Sequence, residues 1–151
     1  MASPASTGYV QANTLAVTDT GDFIQIRNGS DTRIEVIEVR VWQTSDTALA
    51  MNAVRLHRGV SGAAGTGLTE REWDNQSGTL GVTGFSMPTT DVGTLSLDIH
   101  SGWNILQEWI WLPTPEMPLI LMNNEMLGVS LLIADTLTIG VSITWQTYGT
   151  A

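Results

Sequence analysis

Alternation of apolar and polar residues near the C-terminus restricts the fold of this chain more than any other feature. In LTIGVSITWQ, residues 137–146, every second side chain from Leu137 to Trp145 is apolar, and the residues between them are Thr, Gly, Ser, Thr and Gln. Successive side chains of a strand point to opposite faces of a sheet. The pattern therefore predicts a β-strand with one buried face, and the rest of the chain must supply a sheet to hold it.

Two pairs of neighbouring segments predict hairpins. LGVSLLIA, residues 127–134, is joined to the strand at 137–146 by a short polar link. DFIQIRN, residues 22–28, and TRIEVIEVRVWQ, residues 32–43, flank the turn signal Asn-Gly-Ser-Asp. Because short connections usually join antiparallel neighbours, we expect each pair to be hydrogen-bonded.

Further strands are predicted at 50–58, 94–100 and 118–122, the second with Leu95, Leu97 and Ile99 facing inward. In the segment 32–43 the apolar phase slips, which predicts either two covered faces or a β-bulge near Val36–Ile37. No long helical period is present.

About eight strands with turn signals between them are typical of a sandwich or barrel. Because the connections differ in length, we predict an all-β jelly roll, that is, a Greek-key β-sandwich. The sandwich domain is expected to span residues 15–151, and the polar residues 1–14 are expected to form an extended N-terminal arm.

Composition excludes several classes of function. The chain of 151 residues has a net charge of −9, all six of its cations are Arg, and it contains no Cys. Binding to nucleic acid or to an anionic membrane requires clustered cations, so we expect neither partner. The start of the chain shows no secretory signal and no apolar run reaches membrane length, which predicts a soluble protein made in a cytoplasm.

Few residues are suited to catalysis or metal binding. Asp98 and His100 share a strand face, but no G-x-S-x-G motif supplies a nucleophile, so a small hydrolase is the weakest of the alternatives. Glu70, Glu72 and Asp74 alternate and could bind a divalent cation, although a solvated acidic ridge explains them better. We predict no catalytic residue, no metal and no cofactor.

The segment WNILQEWIWLPTPEMPL, residues 103–119, concentrates three of the six Trp and three Pro. Pro removes backbone donors, so this segment cannot lie inside a sheet, and either a short helix or an irregular strand fits residues 103–111. We expect Trp109 and Leu112 in the core. Contact with a partner protein is predicted for six residues: Tyr9, Val10, Trp103, Trp111, Pro113 and Pro115.

An alternative function is glycan binding. Stacked tryptophans offer a flat apolar platform for a sugar ring, and Glu108 lies among them. This interpretation makes the chain a lectin-like β-sandwich module of a phage tail or fibre, with Trp103 and Trp111 as its binding residues.

Three segments resemble small virion proteins of tailed bacteriophages: DFIQIRNGSDTRIEVIEVRVWQ, RLHRG and WLPTPEMPLILMNNEMLGVSLLIADTLTIGVSITWQT. The resembling proteins are capsid cement or decoration proteins with a jelly-roll core. The resemblance implies a structural, non-enzymatic virion protein that binds the outer surface of an icosahedral capsid. Its partners would be the major capsid protein and further copies of itself, as dimers or trimers.

Overall fold

The computed structural model describes residues 4–45, 51–62, 65–73 and 81–148, and within these ranges all regular structure is β-strand. The described strands are β1 (Pro4–Val17), β2 (Asp22–Asn28), β3 (Ile34–Gln43), β4 (Met51–Gly59), β5 (Thr66–Leu68), β6 (Arg71–Glu72), β7 (Val82–Ser86), β8 (Leu97–Asn104), β9 (Trp109–Trp111), β10 (Leu119–Leu121), β11 (Met126–Leu131) and β12 (Leu137–Tyr148). The predicted all-β class is confirmed, with twelve described strands where about eight were expected. No described helix is long and apolar enough to span a bilayer.

The strands form two antiparallel sheets of six strands each. Sheet A has the order β10-β3-β12-β1-β6, with β9 beside β3 on the same side as β10, and sheet B has the order β5-β7-β2-β11-β4-β8. Apolar side chains from the inner faces of both sheets make one continuous core, which includes Val41, Leu56, Leu127, Ile143 and Trp145. The predicted β-sandwich is confirmed.

Both predicted hairpins are wrong, because the chain crosses between the sheets at each turn. β2 lies in sheet B beside β11 and β7, whereas β3 lies in sheet A beside β12. β11 and β12 are divided in the same way. Alternation shows which residues face the core, and it carries no information on which strand supplies the hydrogen bonds.

The slip in the apolar phase of β3 is a β-bulge. Thr144 of β12 is opposite Glu38 and the next residue, Trp145, is opposite Val36, so Ile37 is the extra residue. The bulge returns Val36, Val39 and Val41 to the core face.

The segment predicted as a separate arm is part of the sandwich as far as it is described. β1 pairs with β12 from Pro4 to Val17, with irregular register after Pro4 and after Ala12. Val10 and Ala12 face the core, but Gly8 and Asn13 weaken the apolar alternation, which is why composition favoured an arm. Residues 1–3 are outside the described ranges.

Residues 103–111 form a strand, a turn and a strand, which decides between the two structures left open for them. β8 ends at Asn104, whose carbonyl accepts from Gln107 N at 2.9 Å, and β9 begins at Trp109. The predicted strand at 94–100 begins later, at Leu97, so Leu95 remains outside it and 41% exposed.

Candidate functional site

Two of the predicted contact residues lie in the core and are corrected. Trp103 is 2% exposed and Val10 is fully buried. The Trp103 indole donates from Nε1 to the Gln107 carbonyl at 2.8 Å, so the turn after β8 satisfies its polar atom. Neither side chain can contact a partner on the surface of this fold.

The remaining predicted contact residues are accessible to different degrees. Tyr9, Trp111 and Pro113 are half-buried, and Pro115 is exposed. Trp109 is buried as expected, whereas Leu112, expected in the core, is 61% exposed because β9 ends before it.

A chain of exposed apolar side chains follows the edge of sheet A. We call residues 106–122 the edge strap; it contains β9, β10 and their connection, and both strands pair with β3. Its large exposed side chains are Leu106 (70%), Ile110 (46%), Leu112 (61%), Met117 (76%) and Met122 (53%). Exposed apolar side chains concentrated on one short segment are typical of a contact surface.

A groove of about 490 Å³ crosses the outer face of sheet A, and we call it the aromatic groove. It follows β12, because that central strand carries small side chains outward while the strands beside it carry large ones. Register gives three rows across the sheet: Tyr9–Thr144–Glu38, Gln11–Ser142–Arg40 and Gly140–Trp42. Thus the polar half of the alternation at 137–146 forms the floor of the groove.

Aromatic rings stand on both sides of this floor. On one side Tyr9 of β1 lies against Trp73, with ring centroids 5.0 Å apart and planes tilted by 40°. On the other side Trp42 lies flat over Gly140, where any Cβ atom would overlap the indole. Trp73 is 65% exposed, so much of its indole is open to a ligand.

The groove contains one described cation between two carboxylates. Arg40 Nε donates to Glu38 Oε1 at 2.6 Å, and Nη1 lies 3.5 Å from Glu108 Oε1. The hydrogen bond to Glu38 is the main reason that the pKa of Arg40 is raised. Glu38 engages the guanidinium through a short charged hydrogen bond, and Glu108 lies at the outer limit of hydrogen-bond length on its other side, so the groove presents both donors and acceptors.

The predicted hydrolytic pair is a surface ion-pair network. His100 Nε2 lies 3.0 Å from Asp98 Oδ1, and the same oxygen accepts from Arg55 Nε at 2.8 Å. Hydrogen bonding from Arg55 lowers the pKa of Asp98. The carboxylate is thus already engaged by a guanidinium, which is an ordinary arrangement at a strand edge.

A second His–Asp pair, not predicted from the sequence, lies buried on sheet B. His57 Nε2 is 2.7 Å from Asp22 Oδ1, and both side chains are fully buried. Asp22 Oδ2 accepts from Gln25 Nε2 and from the backbone N–H of Val92, each at 2.8 Å. Burial on every side leaves this cluster no access to a substrate, so its role is structural.

The acidic segment is only partly described. Glu70 is half-buried, and burial raises the pKa of its carboxyl group. Asp74 lies outside the described residues. Within the ranges that the structure describes, no three His, Asp or Glu side chains are grouped to hold a metal ion.

Sequence reasoning missed the residues that build the aromatic groove, chiefly Trp42, Trp73 and Gly140. The prediction from residues 137–146 used only the apolar residues of the alternation. The residues between them indicate the groove, since three successive outward positions of one strand are occupied by Gly, Ser and Thr. Small outward residues on a central strand leave a depression wherever the neighbouring strands carry large ones.

Comparison with known proteins identifies no family. No family model matches the chain, and no curated protein matches it. Weakly similar solved structures are viral capsid proteins. One is a chain of Triatoma virus, with 8% identity over 100% of this chain and 66% of that chain and a TM-score of 0.27. Another is a mutant VP2 protein of infectious bursal disease virus, with 9% identity over 94% of this chain and 39% of that chain and a TM-score of 0.20. The chain thus spans less than two thirds of either, and likenesses this weak carry no argument about fold or function.

Proposed function

We propose that this chain is a structural virion protein, a cement or decoration protein that binds the outer surface of an icosahedral phage capsid. It would bridge subunits of the major capsid protein and act as a homo-oligomer, a dimer or trimer. It would be made in the host cytoplasm and end on the exterior of the virion. In this role it binds and stabilises, and it catalyses no reaction.

The edge strap is the observation that carries the proposal. Five large apolar side chains on seventeen consecutive residues are exposed by 46% to 76%. Such side chains contribute to affinity when a partner removes them from water, at about 25 cal/mol per Å² of apolar surface. They lie beside the two short edge strands of sheet A, where pairing with another chain is also possible.

Strand order supports a jelly roll, the fold expected of such a protein. In sheet A the adjacent strands β10, β3, β12 and β1 alternate between the early and late parts of the chain, and in sheet B the strands β2, β11, β4 and β8 do the same. This nesting arises when a long antiparallel ribbon is rolled into two Greek keys. The short strands β5, β6 and β7 then belong to one long insertion between β4 and β8.

Sparse charge is consistent with a protein held by many contacts. Charged residues are 14% of the chain, against about 25% in ordinary domains. Contacts with few charges require little desolvation of ions. Repeated over many copies on a shell, modest interfaces of this kind combine through multivalency.

Cosedimentation with capsids of the source phage tests the proposal. Wild-type protein is expected to bind the particles and to raise the temperature at which they open. The double variant Leu112→Ser with Met117→Ser is expected to bind at least about tenfold more weakly, as for contact residues near the centre of an interface.

A matched control removes apolar surface elsewhere. Leu132 and Ile133, in the link between β11 and β12, are 38% and 52% exposed, so Leu132→Ser with Ile133→Ser should bind as wild type does. A wild-type protein that neither binds nor stabilises the capsids would contradict the proposal.

The alternative of glycan binding through Trp103 and Trp111 loses its basis, since Trp103 is buried and Trp111 is half-buried against the core. The surface that suits a sugar lies elsewhere, on the outer face of sheet A.

A further inference from the structure

We propose that the aromatic groove binds a neutral saccharide, a short chain of sugar rings without charged groups. This inference does not depend on the virion role, since it rests on the face of sheet A and not on the edge strap. It is carried by the aromatic walls, the hydroxyl floor and the charge balance of the groove.

The aromatic walls suit the apolar face of a sugar ring. Trp73 is 65% exposed and is supported from behind by Tyr9, with their ring centroids 5.0 Å apart. Trp42 is held flat over Gly140 on the opposite side. Rigid rings lose little conformational entropy when a ligand stacks on them, which favours binding.

The floor and rim suit the hydroxyl groups of a sugar. Ser142 and Thr144 line the floor, and Glu38, Arg40 and Glu108 line one side. Carboxylate and guanidinium groups present paired acceptors and donors that match adjacent hydroxyls. Arg40 already bridges the two carboxylates, so these groups are in position before a ligand arrives.

The charges of the groove disfavour ionic ligands. An anion would have to compete with Glu38 and Glu108 for Arg40, on a chain whose net charge is −9. A cation would lie close to the Arg40 guanidinium. A neutral ligand neither competes with the carboxylates for Arg40 nor is repelled by it.

The groove also continues in a way that suits more than one ring. A second depression of about 380 Å³ shares Tyr9 and Gln11 with the first and is lined further on by Asn13 and Arg71. Each volume is within the roughly 300–1,000 Å³ of small-molecule sites. Backbone groups on this face are already paired within sheet A, so a peptide strand would gain no hydrogen bonds there.

A glycan array followed by titration calorimetry tests the inference on the full chain. The array carries neutral oligosaccharides of glucose, mannose, galactose and N-acetylglucosamine beside sialylated, uronic and sulfated glycans. We expect binding to a neutral class. For the best neutral oligosaccharide, Trp73→Ala and Trp42→Ala should each weaken the Kd by about tenfold or more, since each removes a stacking ring.

Two further variants separate stacking from folding. Trp73→Phe should restore most of the affinity lost in Trp73→Ala, because it keeps a flat ring. Leu112→Ala, at an exposed apolar residue of the edge strap, should leave affinity unchanged, and thermal melting checks that every variant is folded.

Three results would overturn the inference: no neutral oligosaccharide bound at millimolar concentration, binding confined to charged glycans, or affinity that survives both Trp→Ala changes. None of them would affect capsid binding through Leu112 and Met117, so the two proposals fail independently.

Discussion

Two His–Asp pairs lie on the outer face of sheet B, and their surroundings differ completely. His57 and Asp22 are fully buried at its centre, whereas the side chains of His100 and Asp98 are 52% and 37% exposed at its edge. The strand registers place the pairs close together, since His57 is directly opposite Asp98. Similar side chains on one face thus have opposite degrees of burial.

The loop after β7 makes the difference. Its residues 90–92 bond to the central cluster: Thr90 O accepts from Gln25, Asp91 Oδ1 accepts from Asp22 N, and Val92 N donates to Asp22. Asp22 and Gln25 of β2 and His57 of β4 are therefore enclosed, while the edge strand β8 stays open to water. Buried polar groups depend on every partner, whereas exposed groups can bond to water instead.

The largest effect is expected from removing the buried carboxylate. Asp22→Ala removes the carboxylate that lies 2.7 Å from His57 Nε2 and accepts from Gln25 Nε2 and the Val92 N–H, so we expect the free energy of unfolding to fall by about 3–5 kcal/mol. Asp98→Ala, which removes the carboxylate of the exposed pair, should cost less than about 1 kcal/mol. Urea denaturation of both variants measures the difference.

Equal losses in the two variants would show that burial does not separate the pairs. Asp22→Asn refines the test, because its amide oxygen can still accept the Val92 N–H. We expect it to be more stable than Asp22→Ala and less stable than wild type.

The next largest loss of stability is expected at Gly128, where the absence of a side chain leaves room for the buried His57–Asp22 pair. Gly128 of β11 lies between Gln25 and His57 in register, and a Cβ there would be 2.7 Å from His57 Nε2. Gly128→Ala should therefore cost about 1–3 kcal/mol through overpacking. The matched control is Gly102→Ala in β8, where a Cβ meets no atom within 4 Å.

In denaturation experiments Gly102→Ala should be neutral or slightly stabilising, because Ala loses less backbone entropy on folding than Gly does. A Gly128→Ala variant as stable as wild type would mean that the cluster is loosely packed.

The two pairs also show what a sequence can predict. Asp98 and His100 are two residues apart, so strand periodicity alone places them on one face. Asp22 and His57 are 35 positions apart and meet only because β11 lies between β2 and β4. Spacing along the chain predicts which side chains are neighbours within one strand. Contacts between strands depend on the order of the strands in the sheet.

The same limit explains the other errors. Alternation in Leu137–Trp145 correctly predicted a half-buried strand, and of the two explanations offered for the phase slip the structure has the bulge, at Ile37. Neither signal could show that β11 and β12 lie in different sheets, or that Trp103 would be enclosed while Trp73 stays exposed. Of the residues that line the aromatic groove, the sequence singled out Tyr9 for protein contact and Glu108 for the alternative of glycan binding.

Glu70 is intermediate between the two cases, being half-buried. Burial raises the pKa of its carboxyl group, so folding favours the protonated form. The protonated Glu70 carboxyl therefore contributes fully to folding stability below the pKa that it has in the unfolded chain. The contribution is lost as pH rises through the pKa that it has in the folded protein. Glu70→Gln should therefore be more stable than wild type at pH 7 by about 0.5 kcal/mol or less, with solvent screening included. Below pH 4 the two proteins should unfold at the same urea concentration; a gain that persists there would contradict this origin.

The smallest effect is expected at the exposed pair. Hydrogen bonding from Arg55 lowers the pKa of Asp98 from its ordinary value of 3.8, so its contribution is present above that value and is lost as pH falls through the folded pKa. Because the carboxylate is 37% exposed, solvent screening limits the contribution to a few tenths of a kcal/mol. Asp98→Asn should lose this amount at pH 7 in low salt, and the loss should shrink as pH falls through the folded pKa. In high salt the melting temperatures of wild type and variant should become equal. A difference that does not depend on salt would mean that Asp98, like Asp22, is shielded from solvent.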